Sequence, residues 1–451
     1  MEVIVKIGQF LLSLSILVVL HELGHFTFAK LFKTRVEKFY MFFNPGFSLF
    51  KFKKGETEYG IGWLPLGGYV KISGMIDESM DKEQMKLPPE PYEFRSKPAW
   101  QRLLIMVGGV LVNFILAFVI YIAVLFTWGE QYLPAENVKY GVVCDSLAES
   151  IGLQDGDKIV SLDNQKVERF YDIIPDILLN SPKSIQVIRN KEQVSVNIPS
   201  SFVPGLLAHS SKGFSASPVF DVRYPYSAIS IGKVIAKSPA ADAGIVKGDR
   251  IVSVDSVSFE YYDQFQEFMQ SKKSENVQVL LNREGKSVAV QLAVGEDGKI
   301  GFYPQMEAGM FEYSTLKYNF VEAIPAGVNK GIDKLSSYLK QFKLIFSSET
   351  KAYKSLGGFI TIGSIFPSVW NWEAFWNLTA FLSIILAIMN ILPIPALDGG
   401  HVMFLMYEII TGRKPGDKFM EYAQITGMVL LFGLLIFANG NDVVKWISSL
   451  K

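Results

Sequence analysis

The residues whose types and spacing could do chemistry are His21, Glu22 and His25, in the run His21-Glu22-Leu23-Gly24-His25. Positions i and i+4 share a helix face, so both imidazoles can reach one metal ion with the carboxylate beside it. Zinc suits nitrogen ligands, keeps an open position for water and lowers the pKa of that water to about 7. A neighbouring carboxylate can then serve as base and proton shuttle. The run lies in the apolar stretch Ile7–Ala29, where Glu22 is the only Asp, Glu, Lys or Arg. An ionisable side chain in a spanning helix costs ~2.5 kcal/mol or more unless partnered, so Glu22 reads as functional. Gly24, a poor helix former, would let a neighbour or a substrate backbone come close.

Two histidines and a water leave zinc one donor short. The best further donor is Asp398, in Asn390-Ile-Leu-Pro393-Ile-Pro395-Ala-Leu-Asp398-Gly399-Gly400-His401. The two prolines break helical hydrogen bonding, and the glycines let the chain turn. Irregular backbone at membrane depth is tolerated where it is buried in protein or lines a wet cavity. The competing reading makes Asp398 the N-cap of a helix over Gly399–Ile410. His401 fits an outer contact to Asp398, a cap or interface packing. His209, in a linker, reads as surface.

Elements must hold these residues in place. The chain has 451 residues, 49% of them hydrophobic, with 44 basic and 44 acidic side chains. Zero net charge excludes a general polyanion binder, and no nucleic-acid partner is expected. A single cysteine, Cys144, excludes an internal disulfide framework and a cysteine-ligated zinc site. Ile7–Ala29 and three runs without Asp, Glu, Lys or Arg (Leu103–Gly129, Ala374–Leu397 and Tyr422–Asn441) are each about long enough to cross ~30 Å of hydrocarbon. The first lacks a small-residue cleavage site after it and is read as a span, not a leader. Lys30, Lys33, Arg35 and Lys38, then Arg95, Lys97 and Arg102, then Arg413, Lys414 and Lys418 lie in short loops. The positive-inside rule places these loops in the cytoplasm and residues 130–373 outside.

That outer segment repeats itself. Ser146, Ala148, Gly152, Gly156, Asp157, Ile159, Val160, Ser161 and Asp163 recur 92 residues later as Ser238, Ala240, Gly244, Gly248, Asp249, Ile251, Val252, Ser253 and Asp255. In each copy a small-residue helical turn ends at Gly, Gly-Asp starts a strand, and Asp begins a turn. The pattern resembles PDZ domains, which bind peptides by strand addition. That resemblance implies two β-rich modules, over 130–213 and 214–310. They act either as receptors for peptide C-termini or as spacers and size filters, and Ser230–Gly232 is a candidate carboxylate-binding loop.

His-Glu-x-x-His in the first span, with Asn390-x-x-Pro393-x-x-x-x-Asp398-Gly399 much later, resembles the site-2 protease family of intramembrane zinc metalloproteases. Pro65-Leu66-Gly67-Gly68-Tyr69-Val70 and Gly109-Val-Leu-Val-Asn113 are further family-like pieces, although Val110 stands where the family often has Pro. The resemblance implies one zinc per chain held by His21, His25 and Asp398, with Glu22 as catalytic base. It implies substrate contacts at Asn390, Asn113, Gly67 and Gly68. It further implies cleavage of single-span proteins, such as trimmed anti-sigma factors and remnant signal peptides, in the bacterial inner membrane. The expected fold is a four-span α-helical core with a membrane-associated β-hairpin, plus the two outer modules. The expected boundaries are 1–33, 34–101 and 102–129 for the first span, the loop with the hairpin and the second span. They are 311–372, 373–412 and 418–440 for the interfacial segment and the last two spans.

A helical peptide bond is shielded, so a substrate span must unwind before attack. Glu58–Ile72, Gly-rich and apolar, is expected to form a membrane-dipping hairpin, which either clamps the unwound stretch by β-addition or serves as an interfacial structural loop. Tyr318–Phe346, with Lys330, Lys334 and Lys340, reads as an amphipathic surface helix. Ser355–Trp372 would dip into the membrane or lie at its interface. Two competing classes are an inert adaptor, which has no use for costly groups in lipid, and a transporter, for which the spans show no internal repeat.

Overall fold

A computed structural model describes residues 2–65, 67–75, 88–210, 218–307, 309–345 and 356–449. The chain divides into two compact units, residues 1–130, 317–347 and 353–451, and residues 131–316 with 348–352.

The first unit is helical. Helix α1 spans Glu2–Leu31, α2 Ala99–Trp128, α3 Phe320–Ile345, α4 Trp372–Ile391, α5 Asp398–Thr411 and α6 Asp417–Ser449. Four of them, α1, α2, α4 and α6, are long and apolar enough to cross a membrane. Their polarity is inverted relative to a water-soluble bundle. Val429, Phe432 and Ile436 of α6 are largely exposed, while Gln9, Ser13, Asn113, Thr379 and Ser383 are completely buried. Lipid rewards apolar side chains on the outside, and the interior is held by packing and interhelical hydrogen bonds. Thr379 Oγ1 donates to Ser13 Oγ at 2.9 Å, and Ser383 Oγ to the Asn113 carbonyl at 2.8 Å.

Glycines allow a close helix crossing. A methyl on Gly24 of α1 would run into the backbone of Gly108 and Gly109 on α2, so only glycine allows α1 and α2 this approach. Helix α3 likewise lays Ala323, Gly327 and Gly331, one face at i, i+4 and i+8, against Ile122 and Phe118 of α2. Phe346, the expected end of this element, lies outside the described residues, as does Ser355. Within the remainder of Ser355–Trp372, Phe359–Ser364 forms a short helix. Both oxygens of buried Asp442 receive its Thr361, one from the backbone N–H and one from the hydroxyl.

Between α1 and α2 the chain forms strands β1 (Val36–Met41), β2 (Phe50–Lys54), β3 (Thr57–Ile61) and β4 (Tyr69–Ile72), in sheet order β2-β3-β1-β4. This corrects the expected hairpin over Glu58–Ile72. Its two strands do not pair with each other, because β1 lies between them, parallel to β3 and antiparallel to β4. The tight hairpin is β2–β3. Apolar content alone does not reveal that an earlier strand takes both pairing edges.

The second unit holds two modules with separate cores, one around Ile173, Ile185 and Val187, the other around Val254, Val279 and Leu281. In the first, β5 (Val142–Cys144) pairs with Phe220–Val222, and Lys158–Leu162 pairs with Ser184–Arg189. In the second, Ile229–Val234 pairs with Phe302–Met306, and Arg250–Val254 with Asn276–Arg283. In each module a strand that precedes the Gly-Asp turn pairs with a strand from the module's far end. Phe220–Val222, expected in the second module, pairs with a strand of the first. Ser230–Gly232 is part of strand Ile229–Val234 and not a loop. His209 lies in the last turn of the helix Phe202–Ser210 and pairs with Asp145 at 3.3 Å, so it is a structural contact within the first module.

Candidate metal centre

His21 and His25 lie one helical turn apart on the buried face of α1. Helix α4 ends at Ile391 and α5 begins at Asp398, so the Pro393–Pro395 segment is a break between two helices. The break carries Asp398 to α1. His21 Nε2 lies 3.1 Å and His25 Nε2 3.3 Å from Asp398 Oδ2, and the two nitrogens are 3.2 Å apart. Among the described residues these three form the one group of His, Cys, Asp and Glu placed to hold a metal ion. Asp398 is the first helical residue of α5 and caps nothing with its side chain; the position before it is Leu397. The N-cap reading is therefore set aside.

The donor set fits zinc on geometry as well as type. Ligand atoms ~2.0–2.1 Å from a tetrahedral centre stand about 3.3–3.4 Å apart, close to the edges of this triangle. Asp398 Oδ2 is buried and makes no hydrogen bond that would account for its position. An orphaned buried carboxylate oxygen facing two imidazole nitrogens is costly unless a cation sits among them.

The surroundings orient both rings. His25 Nδ1 lies 2.9 Å from the Ile105 carbonyl, which only an N–H can satisfy, so Nε2 carries the lone pair. His21 Nδ1 lies 3.1 Å from Asn113 Nδ2, and the Asn113 Oδ1 of the same fully buried amide has no partner, which favours the amide with its two ends exchanged. Turned with its oxygen to the ring, that amide accepts from Nδ1–H and leaves His21 Nε2 free as a ligand. Asn390 Nδ2 lies 3.2 Å from His21 Nε2. Gly109 sits against both imidazoles: a methyl there would come 2.5 Å from His25 Nε2 and 2.7 Å from a His21 ring carbon.

A cavity of about 420 Å³ opens at this triad, lined by Glu22, Gly68, Val70, Met106, His401 and Gln424 among others. Strand β4 forms its wall. At Gly68 a methyl would come 2.7 Å from the Tyr40 carbonyl, 2.9 Å from Val18 and 3.6 Å from Glu22. The outer edge of β4 pairs with no other strand among the described residues. Gly67 instead backs onto the Phe43 ring, and Leu66 lies outside the described residues. Of the four expected substrate contacts, Gly68 faces the cavity, Asn390 and Asn113 meet His21, and Gly67 packs on Phe43. Sequence reasoning missed Gln424, whose signal was an amide side chain inside an otherwise uncharged apolar run.

Paired histidines and a carboxylate at one cavity, with a second carboxylate one residue along, define a metal-dependent hydrolase. Residues 9–434 match peptidase family M50, and the chain belongs to that family, the site-2 proteases. It is 26% identical to the regulator of sigma E protease of Haemophilus influenzae, over 98% of this chain and 99% of that protein. It is also 29% identical to a predicted zinc metalloprotease of Borreliella burgdorferi, over 96% of both chains.

Proposed function

We propose that this protein is a zinc metalloprotease that hydrolyses peptide bonds within the membrane-spanning segments of single-span proteins, trimmed anti-sigma factors and remnant signal peptides among them. The observation that carries the reading is the triangle of His21, His25 and Asp398 inside helices apolar enough to span a bilayer. His21, His25 and Asp398 would hold one zinc, which when bound would supply Lewis acidity to water and to the scissile carbonyl. Glu22 takes the proton that the attacking water loses as its oxygen bonds to the carbonyl carbon. It then delivers that proton to the amide nitrogen as the C–N bond breaks. The Ile105 carbonyl holds His25 in the liganding tautomer, and Asn113, with its amide oxygen turned to Nδ1, does the same for His21. Asn390, beside His21, is placed to contact the substrate carbonyl.

The free edge of β4 binds the unwound substrate as an added strand, which replaces the hydrogen bonds the substrate helix gives up. This keeps the clamp proposed from the sequence and moves it from a hairpin to an edge strand. The protein sits in the inner membrane with the basic loops cytoplasmic. His25 lies six residues from the end of α1, about 9 Å at ~1.5 Å per residue, so the site is toward the cytoplasmic side. The two outer modules are PDZ-like domains that filter substrates by the size of their outer part.

Cleavage of a single-span reporter protein by the purified chain tests the mechanism. Glu22→Gln is expected to lower the rate at least about a hundredfold while zinc remains bound. Equal cleavage by wild type and variant would sink it.

A further inference from the structure

Six residues, Leu392–Leu397, carry the chain from α4 to Asp398. Their backbone donors can be counted. Leu392 N–H donates to the Met389 carbonyl, Ile394 N–H to Leu392 and Leu397 N–H to Ile394, while Pro393 and Pro395 have no N–H. The remaining donor, Ala396 N–H, reaches out of the segment to Gln424 Oε1 on α6, at 3.2 Å. Ala396 has φ +87°, a backbone state that residues with a side chain seldom hold without outside support. It stands two residues before Asp398.

Gln424 is buried, although it lies near the start of a candidate span with mean hydropathy 1.7. An amide in such a helix needs a partner, and this one finds it in the backbone that aims Asp398. One turn along the same face, Gly427 lies so close to the Pro395 carbonyl that any Cβ there would overlap it. The fourth span therefore touches the break at two consecutive residues, once by a hydrogen bond and once by close packing.

We infer that Gln424 is a positioning residue for the metal centre: by holding Ala396 N–H it fixes the turn that presents Asp398 to the zinc. The inference rests on the triad reading above. It gives the fourth span, which supplies no ligand, a direct part in metal binding. Losing an outer partner of a metal ligand commonly weakens metal affinity 10–100-fold.

The test is zinc affinity of the full-length protein purified in detergent, measured by competition with a chromogenic chelator. Gln424→Leu removes the acceptor and is expected to weaken zinc binding about tenfold or more. Gln424→Glu keeps an oxygen at the same reach and is expected to stay within about threefold of wild type. Thermal unfolding of the zinc-free chains checks that folding is intact. Should Gln424→Leu fail to fold, Gly427→Ala, which pushes on Pro395 from the same face, is expected to give the same loss of zinc affinity. Wild-type affinity in whichever of these two variants folds overturns the inference, as does an equal loss in Gln424→Glu and Gln424→Leu. A wild-type chain that binds no zinc removes the triad reading itself, an outcome separate from the behaviour of the variants.

Discussion

At the scale of residues, the metal centre depends on side chains that do no chemistry. Gly109 touches both imidazoles, and the room it leaves is what lets His21 and His25 point at Asp398. Gly109→Ala is expected to push one ring off its position. Zinc affinity and cleavage should fall together by about tenfold or more, a change read by chelator competition beside a reporter assay. Retention of both would mean that the contacts to the Ile105 carbonyl and Asn113 place the rings without help from the space at Gly109. The three residues proposed as ligands carry their own signal in the sequence, two histidines at i and i+4 and a carboxylate in a broken apolar run, and the fold brings them together. The supports carry no such signal. The Ile105 carbonyl, Asn113 and Gln424 act on residues 80, 92 and 28 positions away in the chain, and no local pattern announces such pairings.

At the scale of elements, periodicity announces a strand but not its neighbour. Sequence spacing found the strands and turns of the two repeated modules, because Gly-Asp before a Val/Ile run recurs at a fixed offset. It could not find the partner that each aspartate keeps. Asp157 is fully buried and held by Arg189 through two hydrogen bonds of 2.8 and 2.7 Å, while Arg189 also donates to the Gly152 carbonyl. Asp249, Arg283 and Gly244 repeat the arrangement in the second module. The shared role was concealed because the arginines break the repeat: the strands align at the 92-residue offset through Gln186-Val187 and Gln278-Val279, but Arg283 stands two residues beyond the counterpart of Arg189. Burial would raise the Asp249 carboxyl, but the Arg283 fork and the Val246 N–H outweigh it and hold the group below its usual value. A depressed carboxylate stabilises the fold above the unfolded-state pKa of about 3.9, and that stability is lost as pH falls through the lower, folded value. Arg283→Gln leaves the buried charge without its partner and is expected to destabilise the second module by about 3–5 kcal/mol. Denaturant unfolding at pH 7 and at about pH 3 checks both points: the wild type and the variant should differ less in acid. A difference as large in acid as at neutral pH would show that Arg283 works through packing instead.

At the scale of the whole molecule, the balanced composition is the sum of two unlike parts. Apolar helices with a polar interior carry the metal centre, and the cores of the two repeated modules share no residue with the cores around α2. The catalytic unit should therefore survive without the modules. Its chain ends permit the excision. Glu130–Tyr132 and Ser314–Leu316 pair as neighbouring strands, about 5 Å apart, so a few flexible residues can bridge the gap left by residues 131–316. Lys330 on α3 also holds Glu130 at 3.0 Å, which fixes the end of α2 independently of the modules. If the modules exclude substrates with bulky outer parts, the shortened protein should cleave a pre-trimmed single-span reporter at near the wild-type rate. It should cleave the untrimmed form faster than wild type does, because the excluded class gains entry without any change at the zinc ligands. Parallel rate measurements on trimmed and untrimmed reporters decide the matter. An unchanged rate on the untrimmed form would remove the size filter and leave peptide recognition as the role for the duplicated strands. Loss of both rates with zinc still bound would mean that the modules deliver substrate to the β4 edge.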